Sequence, residues 1–180
     1  MLKYALLGFL NYTPMTGYDL KQFMDASTSN FWHAKQSQIY ATLKKLEQDE
    51  LVRSHVEPQE GRPDRRVYQI TEKGREDLQD WLSQPVMDVE PRKEKLLLKL
   101  FFSADQSVEK ILTQLRIQRS LHEETLERYQ NQTKEVIAQF SASEDMAEHG
   151  RYWEATRRFG ELYEEMYIRW VDETIEKLEE

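Results

Sequence analysis

The residues best suited to chemistry in this chain of 180 residues are basic, amide and hydroxyl side chains in two stretches of its first half. The first stretch contains Lys35, Ser37, Gln38, Tyr40, Ala41, Lys44 and Lys45, and the second contains Arg62, Arg65 and Arg66. Basic groups bind phosphate oxygens, while amides and hydroxyls bond to base edges. The two stretches therefore indicate nucleic-acid binding, with an ordinary solvated, charged surface as the alternative.

The first stretch has the periodicity of a helix with two different faces. At about 100° per residue, Ile39, Leu43 and Leu46 fall on one side and predict burial in a core. The opposite side is small, amide-bearing and basic, and it carries no carboxylate before Glu47. A helix of this kind fits the major groove of DNA, where its early residues reach base edges and its lysines reach phosphates.

The arginines lie at the tip of a predicted β-hairpin. Residues 51–56 and 66–70 are rich in β-branched and aromatic side chains, and the loop between them contains Gly61 and Pro63. A short loop that carries arginines is suited to the narrow minor groove, where negative potential is concentrated.

The elements that must position these residues are predicted from caps and periodicity. Helices are expected over about 2–10, 16–24, 35–48 and 72–82, with Thr16 and Thr71 as N-caps. Three helices, a hairpin and a fourth helix are the order of a winged helix-turn-helix. We therefore predict a mainly α protein with a small β-hairpin, built from this domain and a C-terminal helical dimerisation domain.

Several motifs together resemble the PadR family of bacterial transcriptional regulators. They are Gly17-Tyr18-Asp19-Leu20, Phe31-Trp32, SQIYATLKKLE at 37–47, Gly61-Arg62-Pro63 and RVYQITEKG at 66–74, with a looser match over 93–103. The resemblance implies that helix 35–48 is the recognition helix, that the arginines lie on the wing, and that the protein represses transcription as a dimer. Glu50 departs from the family pattern, which often has glycine after this helix, and it predicts strain or a different helix end.

The chain divides into a DNA-binding domain at 1–83, a linker at 84–91 and a helical domain at 92–180. The linker contains Pro85 and Pro91, and helices are predicted after Ser107 or Asp105 and after a capping box from Ser141 to Glu144. The apolar stripes of these helices exceed what a thin layer of helices can bury. They predict a core shared with a second copy of the chain, as a homodimer.

Aromatic residues mark a candidate site for a small aromatic effector. They are Trp32, Tyr152, Trp153, Phe159, Tyr163 and Tyr167. Such side chains line pockets for flat ligands, and some PadR-family proteins respond to phenolic acids. The alternative for each residue is packing in the core of a domain or dimer.

Composition and the absence of known motifs exclude other classes of function. The chain has no cysteine, so disulfides and thiol chemistry are excluded. No phosphate-binding loop, paired metal-ligand spacing or nucleophile motif is present, so we expect no enzyme activity, metal or cofactor. The apolar run at 4–10 is too short to span a membrane, and a cytoplasmic protein with no membrane partner is expected.

Net charge at first argues against DNA. The net charge of the chain is −8. Residues 87–180 have a net charge of −7, so the acidity belongs to the helices assigned to dimerisation. The first half is close to neutral, with its basic side chains concentrated on the predicted interface. Double-stranded DNA is thus the expected partner, and a protein–protein interaction module that uses the acidic helices is the alternative.

Overall fold

The computed structural model describes residues 1–28, 31–59, 61, 64–89 and 93–180. The chain forms two compact units, Met1–Val89 and Glu90–Glu180, and each is described by itself. Among the described residues, no helix combines the length and apolar character needed to cross a bilayer.

Four helices form most of the N-terminal unit. They are α1 (Leu2–Tyr12), α2 (Gly17–Ser27), α3 (Gln36–Gln48) and α4 (Glu72–Ser83). The Thr16 hydroxyl accepts the backbone N–H of Asp19, and the Thr71 hydroxyl accepts that of Gly74. Both N-caps predicted from the sequence are therefore confirmed.

A three-stranded antiparallel sheet completes this unit, where the sequence indicated only a hairpin. The strands are β1 (Met15–Thr16), β2 (Val52–Glu57) and β3 (Arg65–Ile70), in the order β1-β3-β2. Val52 pairs with Ile70, and Glu57 pairs with Arg65 at the far end of the hairpin. The prediction missed β1 because two residues are too few to show the alternation of a strand.

The core of the N-terminal unit is apolar and fixes the orientation of α3. Ile39 and Leu43 are fully buried and Leu46 is 1% exposed, so the predicted inner face is confirmed. They pack with leucines and Met24 from the neighbouring helices. Burial of this stripe holds the opposite side of α3 towards solvent.

The turn after α3 has the strain that the sequence predicted at Glu50. Its φ angle is +60°, a left-handed conformation that glycine adopts more easily than glutamate. The Glu50 carbonyl accepts a hydrogen bond from the Thr71 hydroxyl at 2.8 Å, and its carboxylate pairs with Lys73. Thr71 and Lys73, at the start of α4, thus hold the turn in place.

The C-terminal unit is a layer of helices around a thin core. The helices are α5 (Lys95–Phe101), α6 (Val108–Arg128), α7 (Lys134–Phe140) and α8 (Glu144–Glu179), with a π-helical turn (Tyr129–Thr133) between α6 and α7. Leu96, Ile111, Leu115, Tyr167 and Val171 form the core, in which α6 packs against α8.

One predicted cap in this unit is confirmed and another is wrong. The Ser107 hydroxyl accepts the N–H of Lys110 at the start of α6. The predicted capping box at Ser141 is wrong, because the N-cap of α8 is Ser143. The Ser141 hydroxyl donates instead to the Ile137 carbonyl at 2.7 Å. Ser141 also packs against Gly150, where an added Cβ atom would overlap the Cβ of Ser141.

Candidate nucleic-acid interface

The outward side of α3 presents every residue that the sequence assigned to DNA contact in this region. Lys35 immediately precedes the helix as its N-cap, and the other members follow over its first three turns. The exposed set is Lys35, Ser37, Gln38, Tyr40, Ala41, Lys44 and Lys45. Small and amide side chains therefore share one face with three ammonium groups.

These three lysines have no ionic partner among the residues that the structure describes. In the described part of the chain, no carboxylate lies within ion-pair distance of Lys35, Lys44 or Lys45. Each of the other described lysines and arginines of the N-terminal unit bonds to another side chain. They are Lys3, Lys21, Arg53, Arg65, Arg66, Lys73 and Arg75. The face of α3 therefore concentrates the cations that remain available to an external anion.

Two of the candidate side chains on α3 are held by local contacts. Gln38 Oε1 accepts the backbone N–H of Lys35 at 2.9 Å, which closes the start of the helix and restrains the amide. Tyr40 packs over Gly17, where a Cβ atom would come within 2.6 Å of its ring. Glycine at position 17 therefore allows α2 and α3 to approach closely at this face.

Arg66 is held between α3 and the sheet. Its Nη2 donates to Glu47 Oε2 at 2.7 Å, and its Nε donates to the Ser54 hydroxyl at 2.8 Å. Ser54 in turn donates to Glu47 Oε1 at 2.5 Å. The hydrogen bond from the Ser54 hydroxyl is the main reason that the pKa of Glu47 lies below its ordinary 4.5. Partial burial opposes this shift and Arg66 adds to it.

Arg65 makes a similar contact with α2. Its Nη2 lies 3.2 Å from Asp19 Oδ2, the carboxylate that also accepts the Thr16 hydroxyl and backbone N–H in the capping box. Burial acts to raise the pKa of Asp19. The Thr16 bonds and the charge of Arg65 outweigh it and keep that pKa below its ordinary 3.8.

Sequence reasoning did not find these partners of the wing arginines. The signal was weak, because Asp19 and Glu47 lie 46 and 19 residues away from Arg65 and Arg66. Arg62, the third predicted wing residue, lies outside the described residues, as does Pro63. The structure thus brings Arg65 and Arg66 to the loop end of the hairpin, where each contacts one helix of the helix-turn-helix.

The aromatic candidates for an effector site are divided between the two units. Trp32 packs against the core of the N-terminal unit. On α8, Tyr152 and Phe159 are mostly exposed, whereas Tyr167 is buried. Tyr163 lies 6.0 Å from Tyr167 between ring centroids. Trp153 stacks near His149, with 6.1 Å between ring centroids.

Buried charge in the C-terminal unit also escaped the sequence reasoning. The guanidinium of Arg157 is 6% exposed and bonds to Glu154, Glu161 and the carbonyl of Tyr129. Nearby, His122 pairs with Glu164 and stacks on Tyr167, with 3.6 Å between ring centroids. No group of three or more potential metal ligands occurs among the described residues.

Tyr129 connects the π-helical turn to α8. Its ring lies against Gly160, where a Cβ atom would come within 2.5 Å of Cζ. Burial, with a smaller contribution from Glu164, raises the pKa of Tyr129 to about 12. Glycine at position 160 therefore permits the close approach of the Tyr129 ring to α8.

Known families match both halves of the chain. Residues 6–80 match the transcriptional regulator PadR-like family, and residues 92–179 match the virulence activator alpha C-terminal family. A probable transcriptional regulator of Mycobacterium tuberculosis, Rv1176c, is 32% identical over 188 residues, covering 99% of this chain and 98% of the relative. The negative transcriptional regulator PadR of Bacillus subtilis is 34% identical over 102 residues, covering 57% of this chain and 56% of PadR.

Solved structures match over nearly the full length. Bacillus subtilis PadR in complex with operator DNA has a TM-score of 0.84 at 26% identity, covering 98% of this chain and 97% of that chain. The same protein with p-coumaric acid gives 0.78 at 26% identity, covering 99% of both chains. The Vibrio cholerae virulence activator AphA gives 0.73 at 28% identity, covering 99% of this chain and 98% of that chain.

These matches agree with the winged-helix architecture and with a DNA-binding role in transcription. Members of the matched family are regulators and not enzymes. The chain therefore belongs to the PadR-like family of transcriptional regulators.

Proposed function

We propose that this protein is a repressor that binds a two-fold operator as a homodimer, with α3 in the major groove. The observation that carries the proposal is the set of unpaired lysines on the exposed, small and amide-bearing face of α3. The phosphates of DNA supply the anionic partners that these ammonium groups lack in the described part of the chain. An ordinary helix surface rich in lysine also carries carboxylates, but α3 has Glu47 alone, at its C-terminal end.

The residues of α3 take different roles in this proposal. Ser37, Gln38, Tyr40 and Ala41 lie at the N-terminal end, which is the part of a recognition helix that reaches base edges. Lys35, Lys44 and Lys45 flank them and bind phosphates. The β2–β3 hairpin forms the wing beside the adjoining groove, with Arg65 and Arg66 at its loop end and Arg62 between the two strands in sequence.

The relatives support repression and operator binding. Bacillus subtilis PadR is described as a negative regulator and has been crystallised on operator DNA. AphA is described as an activator, so the sign of regulation needs its own measurement. Transcription from a promoter that contains the bound site should fall when this protein is supplied, and a rise would contradict repression.

The homodimer is supported by apolar residues on the outer sides of α6 and α8. On α8, the buried positions Gly160, Glu164 and Val171 fall on one side at about 100° per residue. Phe159, Leu162 and Met166 lie on the opposite side and are about half exposed or more. A second copy of the chain would cover this stripe, and two-fold symmetry would place two recognition helices about 34–36 Å apart.

A substitution within this stripe tests the dimer. Met166→Asp places a charge on the exposed apolar face and should convert the dimer to a monomer in sedimentation equilibrium, because a desolvated carboxylate is costly. Met166→Leu is the matched control and should remain dimeric. A wild-type protein that sediments as a monomer at all concentrations would contradict the proposed assembly.

A small aromatic effector completes the proposal. The complex of Bacillus subtilis PadR with p-coumaric acid supports a ligand of this class, and the candidate contacts are Trp32, Tyr152, Trp153, Phe159, Tyr163 and Tyr167. Release requires that the effector bind more tightly to the state with low DNA affinity. Titration of p-coumaric acid and related acids into a preformed DNA complex should release DNA, and no release by any of them would contradict this step.

The DNA-binding proposal is tested by selection followed by a salt titration. The full chain should enrich a palindromic duplex from random DNA. Lys44→Ala and Lys45→Ala should each reduce the slope of log affinity against log salt concentration by about 0.9, because each removes one phosphate contact. Lys177→Ala in α8 is the control and should leave the slope unchanged. Failure to enrich any duplex would overturn the proposal.

A further inference from the structure

Two arginines next to the loop of the wing already have anionic partners within the protein. Arg65 contacts Asp19 of α2, and Arg66 contacts Glu47 of α3. We infer that Glu47 and Arg66 form a positioning pair, which fixes the wing on the recognition helix and makes no phosphate contact of its own. This inference rests on the proposed function, because it concerns how the same DNA interface is held in shape.

The contacts around Glu47 form a closed ring between α3 and both strands of the hairpin. One carboxylate oxygen accepts the Ser54 hydroxyl from β2 at 2.5 Å, and the other accepts Arg66 from β3 at 2.7 Å. Arg66 Nε then donates to the same Ser54 hydroxyl at 2.8 Å. Three side chains from three elements thus fix one another in a single geometry.

Charge explains why Arg66 should stay with Glu47 when DNA is bound. Glu47 is the single carboxylate of α3, and Lys44 lies one turn before it on the proposed interface. If Arg66 moved to a phosphate, Glu47 would be left unpaired close to the DNA backbone. Repulsion between the carboxylate and the phosphates would then offset the attraction between Arg66 and its new phosphate partner. Kept together, the pair is neutral and adds nothing to the release of counterions.

Arg65 provides a second tie of the same kind. Its partner Asp19 is fixed by Thr16 in the capping box of α2, so the first residue of β3 is held to the start of that helix. Consecutive residues of β3 are therefore tied to α2 and to α3. This arrangement sets the position of the hairpin relative to the unpaired lysines of α3.

The test compares Arg66→Gln, Glu47→Gln and the double variant in the full chain. Affinity is measured for the duplex selected by the wild-type protein and for a scrambled duplex of equal length, over a range of salt concentrations. Circular dichroism at the assay temperature shows that each variant is folded. Lys44→Ala is measured in parallel as the variant that removes a phosphate contact.

A positioning pair predicts loss of specific binding in Arg66→Gln, and a wild-type salt slope in the double variant, which has no net charge at the pair. Arg66→Gln should weaken binding to the selected duplex about tenfold and leave the scrambled duplex within about twofold. The double variant should regain most of this loss, because the unpaired carboxylate is gone. Glutamine at both positions retains hydrogen bonding without charge.

Two results would overturn the inference. A fall of about 0.9 in the salt slope for Arg66→Gln, equal with and without Glu47→Gln, would make Arg66 an independent phosphate contact. Unchanged affinity for both duplexes in the folded Arg66→Gln variant would leave the pair no role in binding. If Lys44→Ala also fails to change the slope, or no duplex is selected, the proposed function itself fails, whereas a result confined to Arg66 leaves it standing.

Discussion

The two units of this protein bury different kinds of side chain. In the N-terminal unit, 15 described hydrophobic residues form one core, and its ionic contacts lie at the surface. In the C-terminal unit the main core cluster has five buried hydrophobic residues, while Arg157, Glu161 and Glu164 are buried and Leu162 and Met166 are about half exposed. The first unit thus buries a large apolar core, whereas the second buries charged side chains beside a smaller one.

This difference has a physical consequence for stability. An apolar core gains free energy as its area leaves water, and that gain is independent of other chains. Buried charges stabilise only when each is paired, and exposed apolar stripes contribute only when a second surface covers them. Variants in the two units should therefore lose stability by different mechanisms.

The largest expected effect is a cavity in the N-terminal core. Leu43 and Leu115 are both fully buried, one in each unit. Leu43→Ala should lower the free energy of unfolding by about 4 kcal/mol, and Leu115→Ala by about 3 kcal/mol, because a thin helical layer can collapse around a cavity more readily. Urea unfolding followed by circular dichroism measures both.

The control for these cavities is Leu82→Ala, since Leu82 is 58% exposed and should cost less than about 0.5 kcal/mol. If Leu115→Ala lowers the free energy of unfolding more than Leu43→Ala does, the C-terminal core is the better packed of the two, contrary to expectation.

The next effect concerns the buried guanidinium. Arg157→Met should lower the free energy of unfolding by about 3 kcal/mol, because it removes a buried donor to the Tyr129 carbonyl and to the buried carboxylate of Glu161. Arg158 binds the same Glu161 but its side chain is 51% exposed, so Arg158→Met should cost far less. Equal losses in thermal or urea unfolding would show that burial of the charge does not matter here.

A pair of glycine substitutions should have opposite signs in the two units. A Cβ at Gly8 in α1 would meet nothing within 4 Å, so Gly8→Ala should stabilise by about 0.5–1 kcal/mol through helix propensity. A Cβ at Gly160 would lie 2.5 Å from the Tyr129 ring, so Gly160→Ala should destabilise by about 1–2 kcal/mol. The melting temperatures of the two variants should move apart, and a rise in both would contradict the close packing.

The smallest expected effect is a pH dependence of the free energy of unfolding, which arises from Glu47 in the N-terminal unit. The pKa of Glu47 is held below its ordinary 4.5 by Ser54, against partial burial and with Arg66. A lowered carboxyl pKa contributes stability above the unfolded value, and that contribution is lost as pH falls through the folded value. Between about pH 6 and pH 3 the wild type should lose up to about 1 kcal/mol more than Glu47→Gln, because the pair is partly exposed. Parallel pH profiles for the two proteins would contradict this.

Much of the N-terminal unit could be predicted because its rules are local. The inner face of α3 follows from the spacing of Ile39, Leu43 and Leu46, and the caps at Thr16 and Thr71 follow from single residues. The strain at Glu50 follows in the same way, from the absence of glycine at a helix end.

The features that escaped prediction depend on residues distant in sequence. An amphipathic pattern places every charge in solvent, so it could not show Arg157 buried between Glu154 and Glu161. The same rule made Arg65 and Arg66 look unpaired, although both bond to helices. The prediction of Ser141 as a cap is wrong because α8 begins after Ser143, whereas Ser141 ends the preceding helix, where its hydroxyl donates to the Ile137 carbonyl.

The π-helical turn at Tyr129–Thr133 also acts on the helical register. A π-helical hydrogen bond reaches back five residues instead of four, so the turn amounts to one extra residue in an otherwise continuous helix from Val108 to Phe140. One residue corresponds to a rotation of about 100°, so α6 and α7 follow separate helical phases while both pack on α8. Deleting one residue of this turn would rotate the whole of α7 at once, which no single substitution can do.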